Sequence, residues 1–460
     1  MIAFLGLDIA LRGLQVQQQA LEVASHNIAN ANTPGYRRQT VDMIPTPPIT
    51  LASGTGHYIE VGTGVTVTDI RRVRDTFLDA QFRQESGEQN RWQVRATALS
   101  QIEGIFNEPS DTALRALLDQ FWDSWQALAN DPENQAARAS VREAGQSLAD
   151  AISNTYQRLL AEQANVNQSV RDTLSHVNDL ATQIADLNRQ VLTGRAAGGE
   201  ANDLEDRRDV LLDELAGLTG ARISEAPDHT VTVFLGGVAL VDGSRAVPLS
   251  AVPDPATGNY IPRWQDSGTA ADLGGTLAGQ LEVRDQIVPG ILSELDQFAN
   301  AIVAGFNQVH MAGYGLDGQS GRPFFDPQST AAAMRLSQNV LSDLNTIAAS
   351  ASGAPGDGSN ALALANVKNQ PLIAGASLDE FLQSIVGQLG AQSQEAQNMQ
   401  ANQTALVQQI TNEREQVSGV SLDEESTNLI RYQHAYAALA RVVSTVDDML
   451  NTLINGTAGA

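Results

Sequence analysis

Two acidic clusters and six scattered histidines are the residues whose types and spacing could do chemistry. Asp423, Glu424 and Glu425 are consecutive, and paired carboxylates can divide acid and base duties when one is held protonated. These three open a helical pattern, where negative charge more simply favours the positive end of the helix dipole. Asp203, Glu205, Asp206 and Asp209 are interleaved with Arg207 and Arg208, the pattern of a solvated ion-pair face. The histidines form no HExxH and no pair at helical ligand spacing, so no zinc site is expected. His26 and His434 read as interface or surface residues. Cysteine is absent, which removes thiolate nucleophiles, thiolate metal sites and disulfides. No GxSxG occurs, and VGTGV and LGGTLAG lack the strand and helix context of a phosphate loop. The chain is therefore expected to be no enzyme, with no cofactor and no metal.

A chain of 460 residues allows several domains, and an apolar fraction dominated by small residues with few aromatics favours long, closely packed helices. A formal charge of -25 repels phosphate backbones and anionic membranes, which argues against nucleic acid as a partner. The start MIAFLGLDIALRGL has no basic region before it and is broken by Asp8 and Arg12, so a cleaved leader is not expected. No run approaches the roughly 18 apolar residues of a spanning helix, so membrane insertion is not expected either.

The stretch HNIANANTPGYRRQ ends the first helical pattern. Pro34 disfavours helical backbone at Thr33, and Pro34-Gly35 at the centre of Thr33 to Tyr36 suits a type II turn. Asn27, Asn30 and Asn32 are placed to bond the helix end and neighbouring backbone, with Ile28 among them. Upstream, Phe4, Leu7, Leu11, Leu14 and Leu21 keep a three-four alternation that predicts one sticky seam. Near the other end, Leu429, Tyr432, Tyr436, Leu439, Val443, Val446, Leu450 and Leu453 keep another. Both ends therefore read as amphipathic rods, mobile alone and ordered on assembly.

Between them, residues 37–70 alternate β-branched and polar residues with Pro and Gly, predicting a β-hairpin or extended arm. Ser110 or Asp111 is placed to cap the helix that follows, and Asp131-Pro132 reads as another helix start. Twelve positions from Ile152 to Val191 keep a helical seam, predicting a helix of some 40 residues. HTVTVFLGGVALVDG reads as a strand pair around Gly236-Gly237. Helical text returns from Gly279, despite Pro289. Ser377–Glu380 and Ser421–Glu424 each spell a capping box. The fold class is mainly α with a β insertion.

ASHNIANANTPGYRRQ closely resembles the N-terminal motif of the axial proteins of the bacterial flagellum, the rod, hook and hook-associated proteins. VGTGVTVTDIRRVRDTFLDAQFR, LGGTLAGQLEVRDQIVPGILSELDQFANAIVAGFNQVH with GRPFF, GDGSNALALANV and SLDEESTNLIRYQHAYAALARVVSTVDDMLNTL together resemble the hook-filament junction branch of that family. Ala437, Ala438 and Leu439 stand where hook and rod members usually carry an asparagine, which favours the junction branch. The resemblance implies a discontinuous architecture: a terminal helical, inner-tube domain of 1–35 plus 420–460, pairing as a coiled coil. A mainly helical domain of 36–220 plus 282–419 and a small outer β domain of 221–281 would complete it. It further implies uncleaved secretion by the flagellar type III apparatus to the outside of the cell. The implied partners are identical subunits in a ring, the hook protein, the second junction protein and a cytoplasmic export chaperone on the C-terminal helix. Alternatives are a hook or rod subunit and, from another class, a peptidoglycan hydrolase linked to an axial protein.

Overall fold

The longest apolar-periodic segment of the sequence becomes a single helix of 62 residues in the computed structural model, which describes residues 2–52, 58–110 and 113–457. The chain begins with α1 (Ile2–Asn30) and an antiparallel arm of β1 (Gln39–Pro45), β2 (Ile49–Ala52), β3 (Tyr58–Val61) and β4 (Val65–Arg72). Then come α2 (Thr76–Phe106), α3 (Leu114–Asn130), α4 (Gln135–Ala196) and α5 (Asn202–Thr219). Short strands β5 (Arg222–Glu225), β6 (Val231–Leu235), β7 (Val238–Asp242), β8 (Arg245–Ala246), β9 (Leu249–Pro253) and β10 (Tyr260–Trp264) follow. The remainder is helical: α6 (Gly275–Glu282), α7 (Val288–Ala312), α8 (Gln338–Ser342), α9 (Ser359–Ala365), α10 (Leu378–Ser418) and α11 (Leu422–Thr457). The fold is mainly α with small antiparallel sheets.

The chain divides into two compact units, and three of the four boundaries fall inside α2, α4 and α10, the fourth between β8 and β9. The first holds residues 1–86, 177–248 and 405–460. Here α1 lies along α11, and β1 pairs with β4 from Gln39↔Arg72 to Pro45↔Val65. The β5-β6-β7-β8 sheet belongs to it, with β6 and β7 joined through Gly236-Gly237 as the alternation predicts. Asn188 of α4 ties that sheet down: its Nδ2 donates to the carbonyls of Val231 (2.8 Å) and Gly243 (2.7 Å).

The second unit holds residues 87–176 and 249–404, including the β9–β10 hairpin. The segment 221–281 thus carries two separate sheets. The core of this unit is aromatic: Phe121 of α3 lies 5.0 Å from Phe306 of α7 and 5.7 Å from Phe324. Such ring contacts add to simple burial. Asn307 fixes the GRPFF loop on this core, its Oδ1 accepting from the N–H groups of Phe324 and Phe325, both at 2.9 Å. Pro289 is accommodated because a π-helical turn, Val283–Ile287, widens the backbone just before it.

Several local expectations are corrected. α4 starts at Gln135, and its cap is Asn134, whose Oδ1 accepts from Ala136 N–H at 2.9 Å, so Pro132 sits in the preceding turn. α3 has no side-chain cap at Ala113; Glu108 instead accepts from Arg115 N–H at 3.2 Å, and Asp111 lies outside the described residues. The Ser377 box is complete, with Ser377 N–H donating to Glu380 at 2.8 Å and Glu380 N–H to Ser377 Oγ at 3.3 Å. The second box is half formed: Ser421 Oγ accepts from Glu424 N–H at 3.4 Å, while the Glu424 carboxylate turns to Arg38 at 2.9 Å.

Candidate functional site

Everything the first unit does with its motif converges on the corner where α1 hands the chain to the β-arm. Tyr36 N–H donates to Thr33 O at 3.1 Å, and Gly35 between them has φ +78°, which closes the type II turn. A Cβ at Gly35 would run into Val210 Cγ2 of α5, so the turn needs glycine for both backbone and space.

Asn27 is the buried centre of this corner. Its Oδ1 accepts from Tyr36 OH (2.7 Å) and Gln39 N–H (2.9 Å), and its Nδ2 donates to Gln39 O (2.9 Å) and Glu425 of α11 (3.2 Å). One amide thus uses all its bonding capacity to join helix, turn, strand and last helix. Asn30 Nδ2 donates to His26 O at 3.0 Å, and Thr33 Oγ1 donates to Asn30 Oδ1 at 3.2 Å. Burial, then Asp203, Asp206 and Glu425, push the Tyr36 phenol pKa upward, so it stays a donor. Ile28 is half-buried; Asn32, Thr33, Pro34 and Gly35 are exposed.

Beneath the turn lies a buried ionic network that sequence reasoning missed. Glu205, Asp206, Arg208 and Asp209 are buried, which overturns the solvated face expected there; only Asp203 and Arg207 of that group are exposed. Arg72 at the end of β4 pairs with Glu205 (2.7 Å), Asp206 (2.8 Å) and Asp209 (2.7 Å). Arg83 takes Asp213 at 2.6 Å, and Arg414 of α10 takes Asp79 (2.8 Å) and Asp213 (2.9 Å). Arg37 joins in, bonding Asp79 (2.7 Å) and Ser418 Oγ (2.8 Å). Its own N–H donates to Asp206 at 3.0 Å. Burial pushes Asp206 up to about 6, against the pull of Arg72. Asp209 is also buried, yet Arg72 and Arg83 hold it below the usual carboxylate range. The carboxylates that meet Arg72, Arg83 and Arg414 lie more than a hundred residues from them in sequence, so no local pattern announces them.

Glu424 and Glu425 also do more than cap α11. Arg38 pairs with both at 2.9 Å, and Glu425 is buried. His26 lies 3.3 Å from Asp203 and edge-on to Tyr36 at 5.5 Å, whereas His434 is exposed. This arrangement grips and orients a backbone corner. Among the described residues no cluster of His, Asp and Glu is suited to a metal ion.

The terminal rods meet along an unexpected face of α1. Its buried residues are Ala10, Gly13, Val16, Ala20, Ala24 and Asn27, mostly small. Leu7, Leu14 and Leu21 are only half-buried, Leu11 is 44 % exposed, and the Phe4 side chain lies outside the described residues. On α11, Leu429, Tyr432, Leu439, Val443, Val446 and Leu450 are half-buried and Tyr436 is exposed; the Leu453 side chain is not described. Among the described residues of α11, Glu425 alone is buried. Leu422, Ile430, Val442 and Met449 stand exposed on its other faces.

Comparison with known proteins places these features. Residues 99–325 match the helical domain of the flagellar hook-associated protein FlgK. Residues 7–37 match the flagella basal body rod protein family, and 412–456 the flagellar basal body rod FlgEFG C-terminal family. The flagellar hook-associated protein 1 of Bacillus subtilis (strain 168) is 32% identical, covering 98% of both chains. That of Escherichia coli (strain K12) is 27% identical over 98% of this chain and 99% of its own. A solved flagellar hook junction protein FlgK from Burkholderia pseudomallei superposes with a TM-score of 0.64 at 17% identity, covering 74% of this chain and 100% of that one, a likeness of fold.

Proposed function

The chain belongs to the flagellar hook-associated protein 1 family, and from that premise we propose that it is the non-enzymatic structural subunit that joins hook to filament. The rod-type matches cover only the two ends, while the middle matches the hook-associated helical domain, which disfavours a hook or rod subunit. No membrane-spanning helix occurs among the described residues.

In this reading residues 1–35 and 420–460 are the assembling domain. The seams on α1 and α11 are completed by neighbouring copies, residues 36–220 with 282–419 form the outer helical part, and 221–281 supplies the outer β structure. One observation carries it: α11 leaves Leu422, Ile430, Val442 and Met449 exposed, and among its described residues Glu425 alone is buried, so α1 does not cover its seam. The corner at Asn27 and Tyr36 then fixes the angle at which the assembling helices leave the outer part. The chain leaves the cell uncleaved through flagellar type III export, with a chaperone covering α11 on the way. Outside, identical subunits, the hook protein and the second junction protein are its neighbours.

The test is deletion of the gene, with antibody labelling of hook-basal bodies by electron microscopy. Hooks without filaments, and label at the distal hook tip in the parent strain, are expected. Filaments growing on hooks that lack the chain would sink the reading.

A further inference from the structure

The one side chain that α11 buries among its described residues is a carboxylate, Glu425. Its Oε2 accepts from Asn27 Nδ2 of α1 at 3.2 Å, and Arg38 Nε lies 2.9 Å from its Oε1. Asn27 is buried too, with its Oδ1 already committed to Tyr36 and Gln39. The other buried residues described on α1 are alanine, glycine and valine. A charged hydrogen bond, closed from water, thus sits at one end of a small, apolar face.

That face holds register weakly. Going back along α1 from Asn27 to Gly13 spans as many residues as going forward along α11 from Glu425 to Leu439, so the helices run antiparallel and stay in step. Leu439 fills the recess at Gly13, but the other buried positions at Ala10, Ala20 and Ala24 differ from glycine only by a methyl group. A smooth face packs almost as well one turn along, whereas a slip parts a buried polar pair. Displaced by about one helical turn, Glu425 faces Val23 or Ala31 and its charge loses the Asn27 amide.

We infer that the Asn27–Glu425 contact, supported by Arg38, is the register lock of the terminal helix pair: apolar packing makes α1 and α11 adhere, and this contact decides which residues meet. Register in turn decides which apolar side chains, Ile430, Val442 and Met449 among them, α11 leaves outward. The backbone also tethers the start of α11, Arg38 N–H donating to Ser418 O at 2.9 Å, and the test separates tether from lock. The contact lies within one chain, so the inference holds independently of the junction reading.

The chain has no cysteine, so introduced pairs are unambiguous. Gly13→Cys is combined with Leu439→Cys for the native register, or with Ala435→Cys or Val443→Cys for a slip of one turn either way. Each purified full-length chain is oxidised at high dilution and its linked peptides are quantified by mass spectrometry. A disulfide needs Cβ atoms about 4 Å apart, so each bond reports the register that was sampled. With Glu425 intact the Leu439 pair is expected to close and the other two to stay open. Glu425→Leu is expected to raise the off-register bonds about tenfold relative to the native one, with helical content by circular dichroism unchanged. Glu425→Gln, which keeps an acceptor for Asn27, is expected to keep the native pattern. Undiminished native pairing in Glu425→Leu overturns the lock and assigns register to the backbone tether. Loss of helical content with no bond in any pair overturns it as well, because the contact then holds the helices together rather than choosing between registers.

Discussion

Leu439 of α11 lies with its Cδ1 2.9 Å and its Cδ2 3.2 Å from the place a Cβ on Gly13 of α1 would occupy. The two terminal helices approach closely because α1 offers glycine and alanine at the crossing, and the leucine fills the gap. The displaced atoms are the far end of a flexible side chain, so Gly13→Ala is expected to cost little, its better helix propensity offsetting the squeeze. Gly13→Leu cannot be absorbed so, and is expected to spread the helices and reduce assembly, with partial recovery on adding Leu439→Ala. A double-mutant cycle on incorporation into flagella measures the coupling. Strictly additive losses contradict it.

Gly35 is constrained twice, by its positive φ and by Val210. Gly35→Val is expected to lower junction formation more than the stability of the second unit, because the corner belongs to the first. Gly35→Ala in a Val210→Ala background relieves the collision but keeps the left-handed backbone cost of about 1 kcal/mol or more. Thermal melts set beside counts of filament-bearing hooks check this; equal loss in both by Gly35→Val goes against it.

The turn at Thr33 to Tyr36 could be read from sequence because proline and glycine dictate backbone shape by themselves, whatever surrounds them. The same holds for the Ser377 box and the β6–β7 pair. The buried face of α1 could not. Periodicity weighted by side-chain size selects Leu7, Leu11 and Leu14, whereas close helix contact selects the small residues at Ala10, Gly13, Ala20 and Ala24. The network around Arg72 was hidden for another reason: a run of alternating acids and arginines looks solvated until distant strands and helices deliver the partners that desolvate it.

Among the described residues Arg72 is the sole cation that meets Glu205, Asp206 and Asp209 together. Arg72→Leu is expected to destabilise the first unit by about 3–5 kcal/mol, since it leaves buried carboxylates without their main partner. Amide exchange in α5 reports it. Asp206 titrates higher folded than unfolded, so this carboxyl alone weakens the unit as pH rises from about 4 to about 6. Asp206→Asn is expected to flatten α5 protection across that window, and an unaltered slope refutes the assignment.

In the second unit His310 sets a pH dependence of opposite sign. The imidazole is fully buried, its Nδ1 donating to Arg322 O at 2.8 Å and its Nε2 accepting from Ala348 N–H at 3.0 Å. Both ring nitrogens are therefore occupied in the neutral tautomer, and burial holds the pKa down to about 4. In the unfolded chain the ring takes its proton near pH 6.5, so between those values the unfolded state binds more protons. The stability this histidine allows is complete above about pH 6.5 and falls as pH drops toward 4, by about 1.4 kcal/mol per unit at most and about 3 kcal/mol in all. All four tryptophans, Trp92, Trp122, Trp125 and Trp264, lie in the second unit, so their fluorescence in urea reads this unit alone. His310→Gln retains an acceptor for Ala348 and cannot titrate. It is expected to be less stable than the parent at pH 7.5, where the Arg322 carbonyl loses its donor, and to close that gap as pH falls to 4.5. Parallel stability curves for the two proteins across this range exclude His310 as the source.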